Sequence, residues 1–202
     1  MSNISTNLIA SRLKLLLVVL LFLGPLFAAF VWYYGFDASL APEGQSNHAP
    51  LISPIVQIQE FGNQSSEAKS IDVTTLKKKW TIAHIVVSGC DDSCKQSLYN
   101  TRQTRIAVGK DVHRIQRLLI IDGTEELFEQ VGLNHTDAIM VHPDQSGIEK
   151  QLERIIEAAG AGANDAVLID PLGNAMMIIP LDLDPRLLLK DMKKLLKLSH
   201  IG

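Results

Sequence analysis

The sequence predicts an α/β domain, a central mixed β-sheet flanked by helices, behind a single N-terminal transmembrane helix. Three observations predict it. An apolar run fills positions 15–34. From Trp80 onward, strand-like and helix-like segments alternate and close on a hairpin and a helix. The only two cysteines, Cys90 and Cys94, stand where the strongest strand turns into a helix.

Leu15 to Tyr34 is apolar apart from one Gly24-Pro25 step. At ~1.5 Å per residue this run spans roughly 30 Å as a helix, one hydrocarbon core. A kink at Pro25 is tolerated in a spanning segment. Arg12 and Lys14 precede the run, while Asp37 and Glu43 follow it. The positive-inside tendency therefore puts the N-terminus in the cytoplasm and the rest outside. Trp32, Tyr33 and Tyr34 mark the outer interface, where amphipathic rings settle. A cleaved signal peptide is the competing reading, but its apolar region is usually only ~7–15 residues. The nearest small-x-small site, Ser39-Leu40-Ala41, is followed by Pro42, a poor residue after a cut. A retained anchor is expected.

The chain has 202 residues, of which 47% are apolar, enough for one compact domain plus an anchor. Two cysteines are too few for a disulfide scaffold, so the core must hold the domain. The net charge of −3 is spread over both signs. No basic patch carries interleaved aromatics, and nucleic-acid binding is not expected.

The expected organisation is a cytoplasmic N-terminus (1–14), a transmembrane helix (15–34), a linker (35–54) and an α/β domain (55–202). Phe36 to Pro54 is rich in Pro, Ser, Ala, Gly and Asn, as linkers are. Ile55 to Gln59 alternates as a short strand does, and polar Asn63 to Ser70 reads as loop. Trp80 to Val87 is a β-branched run ending at Gly89. Asp92 or Ser93 can cap a helix running to about Val108, with Gly109 to end it. Ile115 to Ile121 is a buried strand turning at Asp122-Gly123. Thr124-Glu-Glu opens a short helix that Gly132 ends, and Ala138 to Val141 is a short strand or loop.

Gly147 to Ala159 is amphipathic, with Ile148, Leu152, Ile155 and Ile156 on one face. Ala166 to Ile169 and Ala175 to Ile179 form a hairpin about the turn Asp170-Pro-Leu-Gly-Asn174. Asp184-Pro185 starts the last helix, where Asp suits the cap and Pro the first turn. Its packing stripe is Leu187, Leu188, Met192, Leu195, Leu196 and Leu198. This order, with a cysteine pair after the first core strand, matches a thioredoxin-like fold; periodicity alone would give a generic α/β sandwich.

Cys90 and Cys94 are i and i+4. In one helix they share a face with Cα atoms roughly 6 Å apart, within disulfide range. With Cys90 just ahead of the helix, two states are open: a disulfide, or two thiolates on one soft ion such as Cu(I). The helix N-terminus favours thiolate. Asp91 and Asp92 oppose it, and Lys95 partly offsets them. A strongly oxidising site is not expected. Two inert structural sulfurs are the plain alternative.

Copper usually takes a third ligand, and the candidates among six histidines are His135 and His142, in the central loop region. His84 has a strand parity that turns it into the sheet face, and His113 lies at the far end of the cysteine helix. One of the adjacent Met176 and Met177 must be core, because neighbours on a strand face opposite ways. Arg102, Arg105, Arg114 and Arg117 with Lys110 form a basic cluster, read as a solvated face or, alternatively, as a docking surface for an acidic partner. No Walker loop, Rossmann fingerprint, Ser-His-Asp set or zinc quartet is present.

The anchor, the strand ending at Gly89, the CxxxC pair and the late Asp170-Pro-Leu-Gly turn together resemble the Sco family of cytochrome c oxidase copper-assembly proteins. The segments Leu98-Tyr-Asn-Thr-Arg-Gln103, Gly109-Lys-Asp111, Asp170 to Met177 and Leu188 to Leu198 are similar to those of small membrane-anchored Sco-like proteins associated with bacterial oxidase genes. The resemblance covers most of the chain from Trp80 onward. It implies a thioredoxin-like fold, and copper held by Cys90, Cys94 and a distal histidine. That histidine has no counterpart here: the corresponding stretch reads Gly160-Ala-Gly-Ala-Asn164-Asp165-Ala166. The proline that commonly follows the second cysteine is replaced by Lys95, and no proline stands at the thioredoxin cis-proline position.

The expected function is that of an assembly factor for cytochrome c oxidase in the bacterial inner membrane, its domain in the periplasm. Its partners are an oxidase subunit or other assembly factors. Cys90 and Cys94 act by thiol–disulfide exchange on the oxidase copper site or by passing Cu(I) to it, with Cys90 as attacker. A general membrane-tethered thiol–disulfide oxidoreductase and a non-catalytic scaffold docking through the basic cluster or the anchor helix are the alternatives.

Overall fold

The computed structural model describes residues 3–35, 47–59, 73–87, 89–143, 147–162, 164–199 and 201. The chain divides into two compact units, 1–46 and 47–202, taken separately below. The expected loop Asn63 to Ser70, most of the expected linker and the Ser39-Leu40-Ala41 site lie outside the described residues.

The first unit contains one helix, α1 (Asn3–Gly35). It extends beyond the apolar run because no Gly or Pro stands between Asn3 and Lys14 to stop it. Pro25 lies inside it without ending it. Ser11–Trp32, 22 residues of mean hydropathy 2.7, is long and apolar enough to cross a membrane, and no other helix among the described residues is.

The second unit is a six-stranded mixed sheet: β1 (Leu51–Gln57), β2 (Trp80–Val87), β3 (Ile115–Asp122), β4 (Ile139–Val141), β5 (Ala166–Ile169) and β6 (Asn174–Ile179), in the order β1-β6-β5-β2-β3-β4. β2, β3 and β4 run parallel, while β5 opposes β2 and β6, and β6 opposes β1. The helices are α2 (Val73–Leu76), α3 (Asp92–Ala107), α4 (Glu125–Asn134), α5 (Glu149–Ala158) and α6 (Pro185–Leu198), with a 3-10 turn at Gly109–Arg114 after α3.

Strand alternation sorts the side chains to two faces. On one, Ala83, Ile85, Leu118 and Ile120 meet Ile148, Leu152, Ile155 and Ile156, the predicted stripe of α5. On the other, Ile82, Ile115, Leu168 and Met177 meet Leu188, Met192 and Leu196 of α6. A third cluster joins Val86, Leu119 and Ile121 to Cys94 and Leu98 of α3 and Val131 of α4. Fully burying each such side chain stabilises by about 1.5–3 kcal/mol. Met177 is the core member of its pair and Met176 is half-buried, as strand parity requires.

Several details depart from the sequence reading. β1 begins at Leu51, not Ile55, because it pairs with β6 through an irregular register in which Leu51 faces Met177 and Val56 faces Ala175. It contains the cis Ser53–Pro54 bond, which a strand at the sheet edge accommodates. Helix α4 runs through Gly132 to Asn134, since Gly is tolerated within a helix whose face packs. Leu198, read as part of the α6 stripe, is 69% exposed at the helix end.

Of the basic cluster, Lys110 is exposed, whereas the four arginines are tied into the domain. Arg117 on β3 is fully buried and donates to Leu98 O at 2.9 Å and to the Asp137 carboxylate at 3.2 Å. Arg102 and Arg105 reach the same carboxylate at 3.5 Å each. Arg114 donates to the carbonyls of Leu196, Ser199 and Ile201, closing the end of α6.

Candidate functional site: the Cys90–Cys94 disulfide

Parallel β2, β3 and β4 end at one edge of the sheet, and the cysteines stand there, where α/β sheets commonly place their sites. β2 must turn sharply to enter α3. Gly89, at φ +82°, supplies a conformation that residues with a Cβ rarely adopt. Cys90 follows and Asp91 caps the helix from an extended backbone. The cap is one residue earlier than the sequence suggested. Asp91 Oδ1 accepts the Cys94 N–H at 2.8 Å, which Asp92 and Ser93, already within the first turn, cannot do.

Cys90 and Cys94 are joined in a disulfide with Cα atoms 5.2 Å apart. The two sulfurs have different surroundings. Cys94 is 6% exposed, packed with Val86, Leu98 and Val131. Cys90, ahead of the helix, is half-buried. Next to Gly89, one residue before Cys90, a groove of about 650 Å³ opens toward the first turns of α4, lined by Asp122, Thr124, Glu126 and Leu127 among others, with Cys90 itself outside its lining.

A polar chain closes the other side. Ser93 donates its hydroxyl to Asp91 Oδ1 at 2.7 Å and accepts from the Asn164 side-chain amide at 2.9 Å. Ser97 donates to the Asn164 carbonyl at 3.0 Å. Asp165 anchors this loop by accepting from the N–H groups of Gly162 (2.8 Å) and Leu181 (2.9 Å). The Cys94 N–H, the Ser93 hydroxyl, the Ser93 N–H and Lys95 together hold the Asp91 carboxyl below its usual range. Sequence reasoning noted Asn164 only for not being a histidine. Its contact spans 71 positions and left no local signal.

The histidines separate. His142 follows β4 at the disulfide edge, but its ring stacks on Phe128 with centroids 4.2 Å apart, and its Nε2 lies 3.5 Å from Glu125. His135 caps α4 at the end of the sheet where the parallel strands begin, away from the disulfide, 3.4 Å from Arg117, and burial with that guanidinium lowers its pKa. His84 turns into the sheet face under α3, as its parity predicts, 3.0 Å from Thr101 Oγ1. The Thr101 hydroxyl donates to Ser97 O or Leu98 O, which leaves its oxygen to accept from His84 Nε2–H. Burial above all, then Arg117 and His135, pushes the His84 pKa down to about 3. His113 is exposed and bonded to Lys110 O. Among the described residues, no three His, Cys, Asp or Glu side chains are grouped to hold a metal ion. The donor set of two sulfurs with an amide neighbour does not fit a three-ligand soft-metal centre.

Asp170 plays the turn role that its sequence suggested. It accepts from the Leu172 and Asn174 N–H groups at 2.8 Å each, with Gly173 at φ +93°.

A βαβ unit, a hairpin and a closing helix, with a cysteine pair at the β2–α3 junction, define a thioredoxin-fold protein. The family model for the transmembrane-like, thioredoxin-like, C-terminal domain matches residues 80–199, more than half of the sequence, and the chain belongs to that family. Solved structures similar to it include yeast Sco1 with copper bound (15% identity, 71% of this chain and 90% of that one, TM-score 0.54). Arabidopsis thaliana ScoI with copper bound is also similar (15% identity, 70% and 98%, TM-score 0.52). So is a putative electron transfer protein from Aquifex aeolicus (12% identity, 72% and 95%, TM-score 0.52). At these identities the likeness is one of fold, and in fold the chain is Sco-like. In sequence, no curated protein matches it.

Proposed function

We propose that this protein is a membrane-anchored assembly factor for cytochrome c oxidase that works by thiol–disulfide exchange on cysteines of the oxidase copper site. The carrying observation is the Cys90–Cys94 disulfide at the strand-to-helix turn, with Cys90 half-buried and Cys94 buried. That asymmetry suits a two-step exchange. In the dithiol form, Cys90 thiolate attacks a partner disulfide and displaces one partner thiolate. Cys94 then attacks Cys90 Sγ in the mixed disulfide, releases the second partner thiol and leaves the Cys90–Cys94 disulfide. Two electrons pass to the partner, and an external dithiol must restore the pair.

The oxidase as client follows the sequence resemblance, and the Sco-like fold supports it. The Ser11–Trp32 helix, with Arg12 and Lys14 at its start, supports a single-pass anchor in the bacterial inner membrane with the domain in the periplasm. Passing Cu(I) is the second reading, favoured by the fold shared with copper-bound Sco structures; against it, among the described residues no His, Cys, Asp or Glu group of three includes the cysteines. Scaffolding through the basic cluster loses its basis, because Arg102, Arg105 and Arg117 converge on Asp137.

The test is oxidase content and activity in membranes carrying Cys90→Ser or Cys94→Ser. Both variants are expected to fold and to lose assembly. Normal assembly in both would falsify the proposal. Anaerobic Cu(I) titration of the reduced protein separates the readings: one tightly held equivalent, lost in the double variant, turns the weight to copper delivery.

A further inference from the structure

We propose that Asp91, clamped by Ser93 and Asn164, is a positioning residue that keeps the Cys90–Cys94 pair reducing by fixing a negative charge at the helix N-terminus next to Cys90. The inference rests on the exchange reading above. A helix N-terminus at a cysteine ordinarily stabilises the thiolate, and hence the dithiol form, through unpaired N–H groups. Here the Cys94 N–H is taken by the Asp91 carboxylate at 2.8 Å. The same carboxylate places a negative charge one residue from Cys90. Both effects disfavour a second anion there, so they raise the free energy of the reduced pair relative to the disulfide.

The carboxylate is not free to swing away. Ser93 holds it from one side at 2.7 Å, and Asn164 orients the Ser93 hydroxyl by donating to it at 2.9 Å. Asn164 in turn sits on a loop pinned by Asp165 and by the Ser97 hydroxyl. Lys95, the nearby cation, is directed to Asp92 at 3.3 Å. A short loop ahead of β5, far away in sequence, thereby reaches the first turn of the cysteine helix.

The experiment equilibrates the full chain, in nonionic detergent micelles, with mixtures of reduced and oxidised glutathione. In this reaction oxidised glutathione and the protein dithiol give two glutathione thiols and the protein disulfide. Asp91→Asn keeps the helix cap, since Asn caps as well as Asp, and removes the charge. It is expected to shift the equilibrium about fivefold toward the protein dithiol, roughly 20 mV more oxidising, with unchanged melting temperature. Ser93→Ala and Asn164→Ala shift it in the same direction by about twofold, and Ser93→Thr, which keeps the hydroxyl, restores it. A wild-type constant in Asp91→Asn, or a shift matched by melting alone, overturns the clamp and leaves the exchange reading standing. A disulfide that does not equilibrate with glutathione overturns both.

Discussion

Arg117 Nη1 lies 3.2 Å from Asp137 Oδ1, and the guanidinium that makes this contact is fully buried. Arg102 and Arg105 turn to the same carboxylate, and Arg117 also bonds the carbonyl of Leu98 in α3. One carboxylate thus holds three cations that tie β3, α3 and the loop after α4. Burial, against the help of Asp137, lowers the Arg117 pKa.

Removing Asp137 leaves a buried charge without its anion. Asp137→Ala is therefore expected to cost about 3 kcal/mol, read as a lower urea midpoint. Arg117→Met removes the buried charge along with the pair and is expected to cost less than half of that. The reverse order of the two variants would show that the pair is not what holds this corner.

Asp191, 1% exposed on α6, accepts from the N–H groups of His48 (2.8 Å) and Ala49 (2.9 Å) and from His48 Nδ1 (2.8 Å). This side chain pins the segment that leads into β1. Asp191→Ala leaves two main-chain donors unpaired and is expected to cost about 3 kcal/mol. Hydrogen exchange at Ala49 should rise well beyond the global change in stability; protection lost only in proportion to that change would contradict the local role.

His84 gives the domain a pH dependence. Its folded pKa, about 3, lies below the unfolded value of 6.5, so between these the unfolded chain binds the extra proton. Stability from this group is complete above pH 6.5 and falls by up to about 1.4 kcal/mol per unit as pH drops toward 3. His135, also shifted down, acts in the same sense. Unfolding in urea at pH 7.5 and pH 5 should show the loss in the wild type and a smaller one in His84→Gln.

The difference in exposure between the sulfurs assigns their order of reaction. Cys94→Ser should accumulate a mixed disulfide through Cys90 when given a disulfide partner, visible as a mass shift. Cys90→Ser should not, because Cys94 is buried among Val86, Leu98 and Val131. Trapping through Cys94 instead would reverse the assignment.

Much of this architecture is written locally in the chain. The β-branched run from Trp80, the apolar stripe of α5, the Asp184-Pro185 start of α6 and the Asp170 turn each carry their signal within a few residues. Propensity, capping and periodicity act over that range. Features that depend on neighbours more distant in sequence carry no such local signal. Gly132 reads locally as a stop yet lies within α4, and Leu51 reads as linker because only its pairing with β6 makes it strand. The arginines read as surface because nothing near them in sequence announces Asp137 as the shared partner of Arg102, Arg105 and Arg117.

By itself the sequence determined the anchor, the α/β order, and the place of Cys90 and Cys94 at a strand-to-helix junction. Spacing and hydropathy suffice for these, because they are properties of neighbouring residues. Only the tertiary structure decided which sulfur is shielded, that His135 belongs to the end of the sheet away from the disulfide, and that Asn164 reaches Ser93 across 71 positions. Those outcomes depend on which strand ends share an edge once β5 inserts between β2 and β6. Strand order is set by the packing of both sheet faces at once, and no local stretch of chain encodes it.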